Sequence, residues 1–521
     1  MTFKLTYSTM FDPPEELHQR FEAALAQVRE LLGRRHRLHL AGRDVEGADW
    51  IANLSPIDGT VLGSFAVAGP DQVGEAIEAA KAAFPAWRAT PLSERVRLSK
   101  RVAALIEERV YTIAAVLALE VGKNRMESLG EAQETADFFT GYAEDFARYG
   151  GFDRALADDP VTGPRSRNRS VLKPHGVWGV ISPFNFPLAL AGGPTAAALV
   201  TGNTVVLKGA TDTPWAVRLL ADCIRDAGYP PGVFNLVTGT GGGAGEALAG
   251  HPNLAGLTFT GSHAVGMELC RRMVSGRWPR PCIAEMGGKN ACVVAASADL
   301  TRAVPGIVRS AFGLSGQKCS ALSRVYVAEE IADRLIAEVC EATRRLTVGD
   351  PTRRENWMGP VINDRAVEHY LGYAGELARH GSRILVGGRR LTGAEHAHGK
   401  YVAPTIAVAP VGHPLFATEM FLPVLMIARV GDVAEAVARA NESDLGLTAG
   451  CFGSPPDVEY FLEHIEAGTV YVNRPQGATT GAWPWYQAFS GWKGSGSTGK
   501  AIGSFHYLPQ YLREQSQTVV E

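Results

Sequence analysis

The chain has little that would staple, anchor or polarise it. Its seven cysteines are odd in number and scattered, with no CxxC and no Cys/His spacing, which argues against a disulfide framework or a zinc site. No run approaches the roughly 20 apolar residues of a membrane span, and the opening MTFKLTYSTMFDPPEE has no apolar signal core. A cytoplasmic protein is therefore expected. Charge of one sign is missing too, with 51 basic against 54 acidic residues and no block of either. Neither nucleic acid nor a membrane surface is an expected partner, and a small near-neutral molecule fits better.

What is present is apolar residue in quantity, 46% of 521 positions, enough for two or more α/β domains with large cores. In DQVGEAIEAAKAAF, Val73, Ile77, Ala80 and Phe84 fall on one helical stripe after a Pro70-Asp71 start. SERVRLSKRVAALIEERV and EAQETADFFTGYAEDFARY repeat that rhythm, whereas GGFDRALADDPVTGPRSRNRS has no period and reads as a surface excursion. From Val177 to about Val294, the strands VWGVI, NTVVLK, VFNLV, GLTFT and RPCIAE alternate with helices, the pattern of a doubly wound parallel sheet. A second alternating region reaches Asn473 through RVYVA, RILVGG, VLMIARV and GTVYVN. Two α/β lobes follow, with ligands expected beyond the carboxyl ends of strands.

Two local patterns carry chemistry without settling it. GTGGGAG (239–245) meets a dinucleotide fingerprint after a strand, but lacks the acidic residue about 20 positions on, and in a glycine-rich chain it reads more readily as a plain strand-helix turn. SGQKCSALSR sets Cys319 after a Gly-Gln-Lys turn and before Ser320. Taken alone, Cys319 reads as a small buried hydrophobe before it reads as a nucleophile.

Six further stretches, in order, decide between these readings: ISPFNFPLAL, NTVVLKGATDTP, LTFTGSHAVG, AEMGGKNA, SGQKCSA and ATEMFLPVL. Together they resemble the aldehyde dehydrogenase superfamily over most of the chain. The resemblance implies two doubly wound α/β domains: a dinucleotide-binding domain from 1–150 and 171–286, and a catalytic domain at 287–490. An oligomerisation flap with a C-terminal strand would occupy 151–170 and 491–521, and at least a homodimer is expected.

The chemistry implied is oxidation of an aldehyde to a carboxylate. A thiolate readily forms the tetrahedral alkoxide from which hydride departs, and the resemblance gives that role to Cys319. Asn185 would supply an oxyanion-hole amide, and Glu285 would activate water to hydrolyse the thioester. The remaining six cysteines, Cys292 and Cys340 among them, are expected to be core residues. For a nicotinamide cofactor the matching residues are Ile181, Ser182, Lys208, Gly209, Thr211, Gly241, Gly245, Gly261, Ser262, Glu419 and Phe421. NAD is the expected cofactor, but Lys208-Gly209-Ala210-Thr211 has no carboxylate where NAD-specific members often carry one, which leaves NADP open.

YVNRPQGATTG and the hydroxyl after the cysteine are similar to the 1-pyrroline-5-carboxylate (glutamate γ-semialdehyde) dehydrogenase branch. There the substrate carboxylate would rest on Ser320 and the N–H groups of Gly477 and Ala478, between aromatic walls Phe184 and Phe489. The stretch TGAWPWYQAFSGWKGSG departs from the branch by inserting Trp483, Trp485 and Tyr486, which would narrow the tunnel or line a subunit contact. A different aromatic or carboxylated aldehyde stays open on that ground. A coenzyme-A-acylating enzyme or a non-catalytic homologue is disfavoured by the presence of Glu285, Cys319 and Asn185.

Overall fold

The computed structural model describes residues 13–160, 166–477 and 483–520. One seven-stranded sheet runs in spatial order Cys282–Glu285, Gly256–Thr260, Val177–Ile181, Thr204–Lys208 and Phe234–Val237, all parallel. An antiparallel pair, Leu38–Leu40 and Arg43–Val45, extends its far edge. Thr204–Lys208, Phe234–Val237 and Gly256–Thr260 are buried at every position. Helices cover both faces, so these strands read as continuous apolar runs and not as alternation. The order reverses between Val177–Ile181 and Gly256–Thr260, and a crevice at their carboxyl ends is where such sheets take ligands.

The second seven-stranded sheet runs Arg383–Val386, Thr405–Val408, Val424–Val430, Leu322–Ala328, Asn290–Val294, Thr448–Phe452 and Thr469–Val472, antiparallel only at its first strand. Here the carboxyl-end expectation needs correcting. Cys319 precedes Leu322–Ala328, and Asn290 and Thr448 open their strands, so this sheet offers its amino ends to the site. The carboxyl end of one sheet thus meets the amino end of the other.

Three local expectations also change. The helix Pro70–Ala89 buries Val73, Ile77 and Ala80, but Phe84 is only half-buried, with the Arg88 guanidinium 5.7 Å from its ring. The aperiodic excursion contains the strand Asp153–Ala155 and the start of Ser166–Pro174, which pairs antiparallel with Leu512–Val520 along its whole length. That partner lies at the far end of the chain, where local periodicity carries no signal. Four cysteines are buried as expected, Cys223, Cys292, Cys340 and Cys451, but Cys270 and Cys282 are half-buried neighbours.

Candidate active site

The turn that carries Cys319 is strained and fastened from several sides. After the helix Leu300–Phe312 the backbone is left-handed at Leu314 (φ 48°), Ser315 (φ 54°) and Gly316 (φ 68°). Such a conformation costs a non-glycine residue roughly 1–2 kcal/mol. Gly316 admits no side chain, since a Cβ would lie 2.3 Å from the Leu422 carbonyl oxygen. Ser315 Oγ donates to the Gly359 carbonyl at 2.7 Å, Gln317 Oε1 accepts from Ile362 N at 2.9 Å, and Lys318 Nζ donates to Glu127 at 2.6 Å. Asn290 Nδ2 donates to the carbonyls of both Cys319 and Ala321, each at 2.8 Å. Asn290 lies within the quoted AEMGGKNA, but no local pattern marks it as the residue that fastens the cysteine.

Cys319, Ser320, Glu285, Glu134, Phe186 and Phe489 line one narrow pocket of about 30 Å³. It adjoins a wider cavity of about 380 Å³, with which it shares Glu134 and Phe186. Burial, then the carboxylates of Glu285 and Glu419, hold the Cys319 thiol well above its ordinary range, while the N–H groups of Ser320 and Cys319 oppose that shift. Glu285 closes the strand Cys282–Glu285, and its Oε1 is buried with no hydrogen-bond partner among the described residues. Burial pushes its carboxyl up to about 8.

Asn185 is buried in the bend after Val177–Ile181, and its amide makes no hydrogen bond among the described residues. The next turn is held by Glu131, whose Oε1 accepts from Leu188 N at 2.8 Å and Ala189 N at 3.2 Å. The other Glu131 oxygen pairs with Lys123, both side chains being wholly buried. Removing one partner of such a pair typically costs about 3–5 kcal/mol.

The expected substrate contacts divide. Ser320 and Phe489 lie in the pocket, but Phe184 does not. Its ring packs edge-on against Phe421, centroids 5.8 Å apart, because the chain bends through 184–186 and turns Phe186 inward instead. Gly477 has φ 77° and spends its N–H on the Arg474 carbonyl at 2.9 Å, so that donor is committed. Ala478 lies outside the described residues. Glu134, which no motif singled out, is buried in the pocket wall without a hydrogen bond among the described residues. Burial and the neighbouring Glu131 carboxylate hold it well above the usual range.

The inserted aromatics dock on the helix Arg125–Arg148. Trp483 donates from its indole N–H to Asp137 at 3.1 Å and lines the wider cavity. Trp485 donates to Asp145 at 2.7 Å and fills the space left open by Gly141, where a Cβ would lie 2.0 Å from its ring. Tyr486 is 79% exposed.

The crevice beside the first sheet suits a dinucleotide. Ser182 Oγ, next to Ile181 at the carboxyl end of its strand, is buried without a partner among the described residues. Lys208 ends its strand buried, which lowers its ammonium to about 8 against the opposing charge of Asp212. Gly209 lets Val217 pack close, since a Cβ would sit 2.5 Å from that side chain, and Thr211 Oγ1 donates to the Gly239 carbonyl at 3.1 Å. Gly241 faces open space, whereas Gly245 is buried and donates within its own turn to Thr240. Gly261 packs under the Phe259 ring, and Ser262 starts the helix His263–Val274 with no side-chain cap, leaving its first N–H groups open to an anion. Glu419 Oε1 accepts from Gly288 N at 2.9 Å, and Phe421 is held at φ 56°. Among the described residues no cluster of three metal-ligating side chains occurs.

A strained turn thus sets Cys319 in one pocket with the buried Glu285, beside the crevice of the first sheet. The family model of the "Aldehyde dehydrogenase family" matches residues 44–516, and the chain belongs to that family. A 1-pyrroline-5-carboxylate dehydrogenase of Geobacillus kaustophilus is 36% identical over 516 residues, covering 97% of each chain. A crystal structure of 1-pyrroline-5-carboxylate dehydrogenase from Thermus with bound NAD superposes with TM-score 0.92 at 32% identity, covering both chains completely. Proline utilization A from Bdellovibrio bacteriovorus matches at TM-score 0.90 and 32% identity, with 96% of this chain spanning 51% of that one.

Proposed function

We propose that the chain oxidises L-glutamate γ-semialdehyde, the open form of 1-pyrroline-5-carboxylate, to L-glutamate with NAD, the second oxidation of proline breakdown. The observation that carries this reading is the single pocket in which Cys319, Glu285, Ser320 and Glu134 converge between Phe186 and Phe489. Full-length similarity to enzymes of that name supports the substrate.

Cys319 Sγ attacks the aldehyde carbon once its proton has left, and Glu285, with a buried oxygen in reserve, is the acceptor at hand. The Asn185 amide and the Cys319 N–H hold the resulting oxygen anion, their geometry fixed by Glu131 and Asn290. A bound nicotinamide supplies the hydride acceptor that no side chain provides. Once Glu285 has passed that first proton to solvent, it takes a proton from water as the water oxygen attacks the Cys319 thioester, which frees the carboxylate, and the return of that proton to sulfur restores the thiol. Ser320 meets the substrate's α-carboxylate, and Glu134 its ammonium, since Glu134 is the carboxylate on the pocket wall that the base role of Glu285 leaves free. A share for the Gly477 N–H requires that it leave the Arg474 carbonyl.

Lys208, Thr211 and Gly241 would hold the adenosine half of the cofactor, Gly261 and Ser262 its pyrophosphate, and Glu419 and Phe421 its nicotinamide half. The three-stranded sheet of Asp153–Ala155, Ser166–Pro174 and Leu512–Val520 is the surface that would carry a partner subunit. A panel of aldehydes with NAD and NADP, followed by reduced-nicotinamide absorbance, tests the whole reading. Glutamate semialdehyde with NAD should lead, and a benzaldehyde-type or long-chain aldehyde in first place would leave only the family standing.

A further inference from the structure

Cys270 and Cys282 are not used by the reaction described above, and they are not ordinary core residues. Cys270 sits in the helix His263–Val274, and Cys282 opens the strand Cys282–Glu285. Their sulfurs are 3.6 Å apart and both residues are half-buried, whereas every other cysteine except Cys319 is buried. A zinc site needs ligands beyond two sulfurs, and no third ligand joins them among the described residues. Ser497 borders the pair, its Oγ donating to the Cys282 carbonyl at 2.8 Å and accepting from Ala284 N at 2.8 Å.

We propose that Cys270 and Cys282 form a reversible dithiol–disulfide site, which hydrogen peroxide closes into a bond between the helix His263–Val274 and the strand ending in Glu285. The Cys270 thiolate attacks one peroxide oxygen and the O–O bond breaks. Hydroxide leaves and takes up the proton the thiol gave away, so one water forms beside a Cys270 sulfenic acid. The Cys282 sulfur then bonds to the Cys270 sulfur as the S–O bond breaks, and the departing hydroxyl leaves with the Cys282 proton as a second water. Two thiols lose two electrons, and one peroxide becomes two waters. The sulfurs must approach from 3.6 Å to about 2.05 Å, a small displacement for two side chains that already touch.

The order of oxidation follows from the surroundings. The hydrogen bond shared by the two sulfurs, and then Ser497, bring the Cys270 thiol below the ordinary thiol range, against the opposing effect of burial. Burial and two carboxylates hold Cys319 up. Peroxide reacts with thiolates, so Cys270 is oxidised ahead of Cys319. The consequence for catalysis rests on the function proposed above, because the bond would join the helix assigned to the pyrophosphate to the strand assigned to the base. The existence of the bond does not depend on it.

The test treats the full chain with rising hydrogen peroxide, alkylates the remaining thiols, digests with trypsin and maps the peptides by mass spectrometry. A linked pair should appear, one peptide ending at Arg271 and the other running from Trp278 to Lys289. It should vanish with dithiothreitol, and form before Cys319 loses its alkylation. Cys270→Ser and Cys282→Ser should each abolish it, and the wild-type result stands even where a variant fails to fold. Cys319 oxidised while Cys270 and Cys282 both remain alkylatable would overturn the proposal. So would separate sulfinic acids at the two positions without a linked peptide.

Discussion

The two sides of Cys319 are built differently. On the cofactor side, the proposed contacts come from strand ends and helix starts: Ser182 after one strand, Lys208 closing another, Ser262 opening a helix. On the substrate side they come from a helix face, Glu134 and Phe138 on Arg125–Arg148, and from Phe489 in the chain that follows Thr469–Val472. On the function proposed above, a dinucleotide would be met by groups whose place the sheet topology fixes, whereas the aldehyde would be met by side chains that one insertion can rearrange. The cofactor side should therefore tolerate little change of backbone, and the substrate side should be where related enzymes diverge.

The largest expected effects lie between the two sides. Cys319→Ala should abolish aldehyde oxidation, while Glu285→Gln should give a burst of reduced cofactor and then turnover about 10²- to 10⁴-fold slower. Stopped-flow absorbance separates the two, and normal steady-state turnover by Glu285→Gln would remove it as the base. Because burial pushes Glu285 up to about 8, it is protonated and idle below that pH. Thioester hydrolysis should climb with pH and level off above about 8, a limb that Glu285→Gln should flatten.

Next comes Asn185. Asn185→Ala should lower kcat by roughly 10²- to 10³-fold, the usual loss for one oxyanion-hole donor, with little change in cofactor affinity by fluorescence titration. A pure change in affinity would move Asn185 from the bond-making centre to the cofactor side.

Sequence reading was strongest where chemistry and topology coincide. The five parallel strands of the first sheet and four strands of the second were legible as apolar runs, continuous where a parallel strand is buried, whereas Asn290–Val294, Thr405–Val408, Thr448–Phe452 and the antiparallel pair Leu38–Leu40 and Arg43–Val45 were not named. The meeting of Cys319 and Glu285 in one pocket was expected from short contiguous motifs. Phe186 was missed for Phe184, since both flank Asn185 in the sequence and only the bend through 184–186 decides which ring turns inward. Asn290 and Glu131 were missed as supports because they act from distant elements on someone else's backbone. Gly477 illustrates a further limit: its type and position fit a carboxylate donor, and only the fold shows that Arg474 already takes the hydrogen.

The substrate side should respond more gently than the centre. Ser320→Ala and Glu134→Gln should each lower kcat/KM for glutamate semialdehyde relative to propanal, by about 1–3 kcal/mol where a buried charged or polar partner is lost. That corresponds to roughly 5- to 150-fold. Equal losses for both aldehydes would mean these residues support the pocket without reading the substrate.

The smallest effect should separate NAD from NADP. Position 211 is a neutral threonine, but the next residue, Asp212, is an exposed carboxylate near Lys208 and within 3.3 Å of Asn363 Nδ2. It offers the negative charge absent one place earlier, near the site assigned to the adenosine ribose. A single exposed charge acts on a 2'-phosphate through water, where a pair about 4 Å apart is worth about 1 kcal/mol. Asp212→Asn should therefore raise the NADP to NAD ratio of kcat/KM only about fivefold, chiefly through KM. The gain should shrink at high salt, because exposed charges are screened. A ratio that does not move, or a wild-type enzyme that already prefers NADP, would show that Asp212 faces away from the ribose and that discrimination lies elsewhere in the crevice.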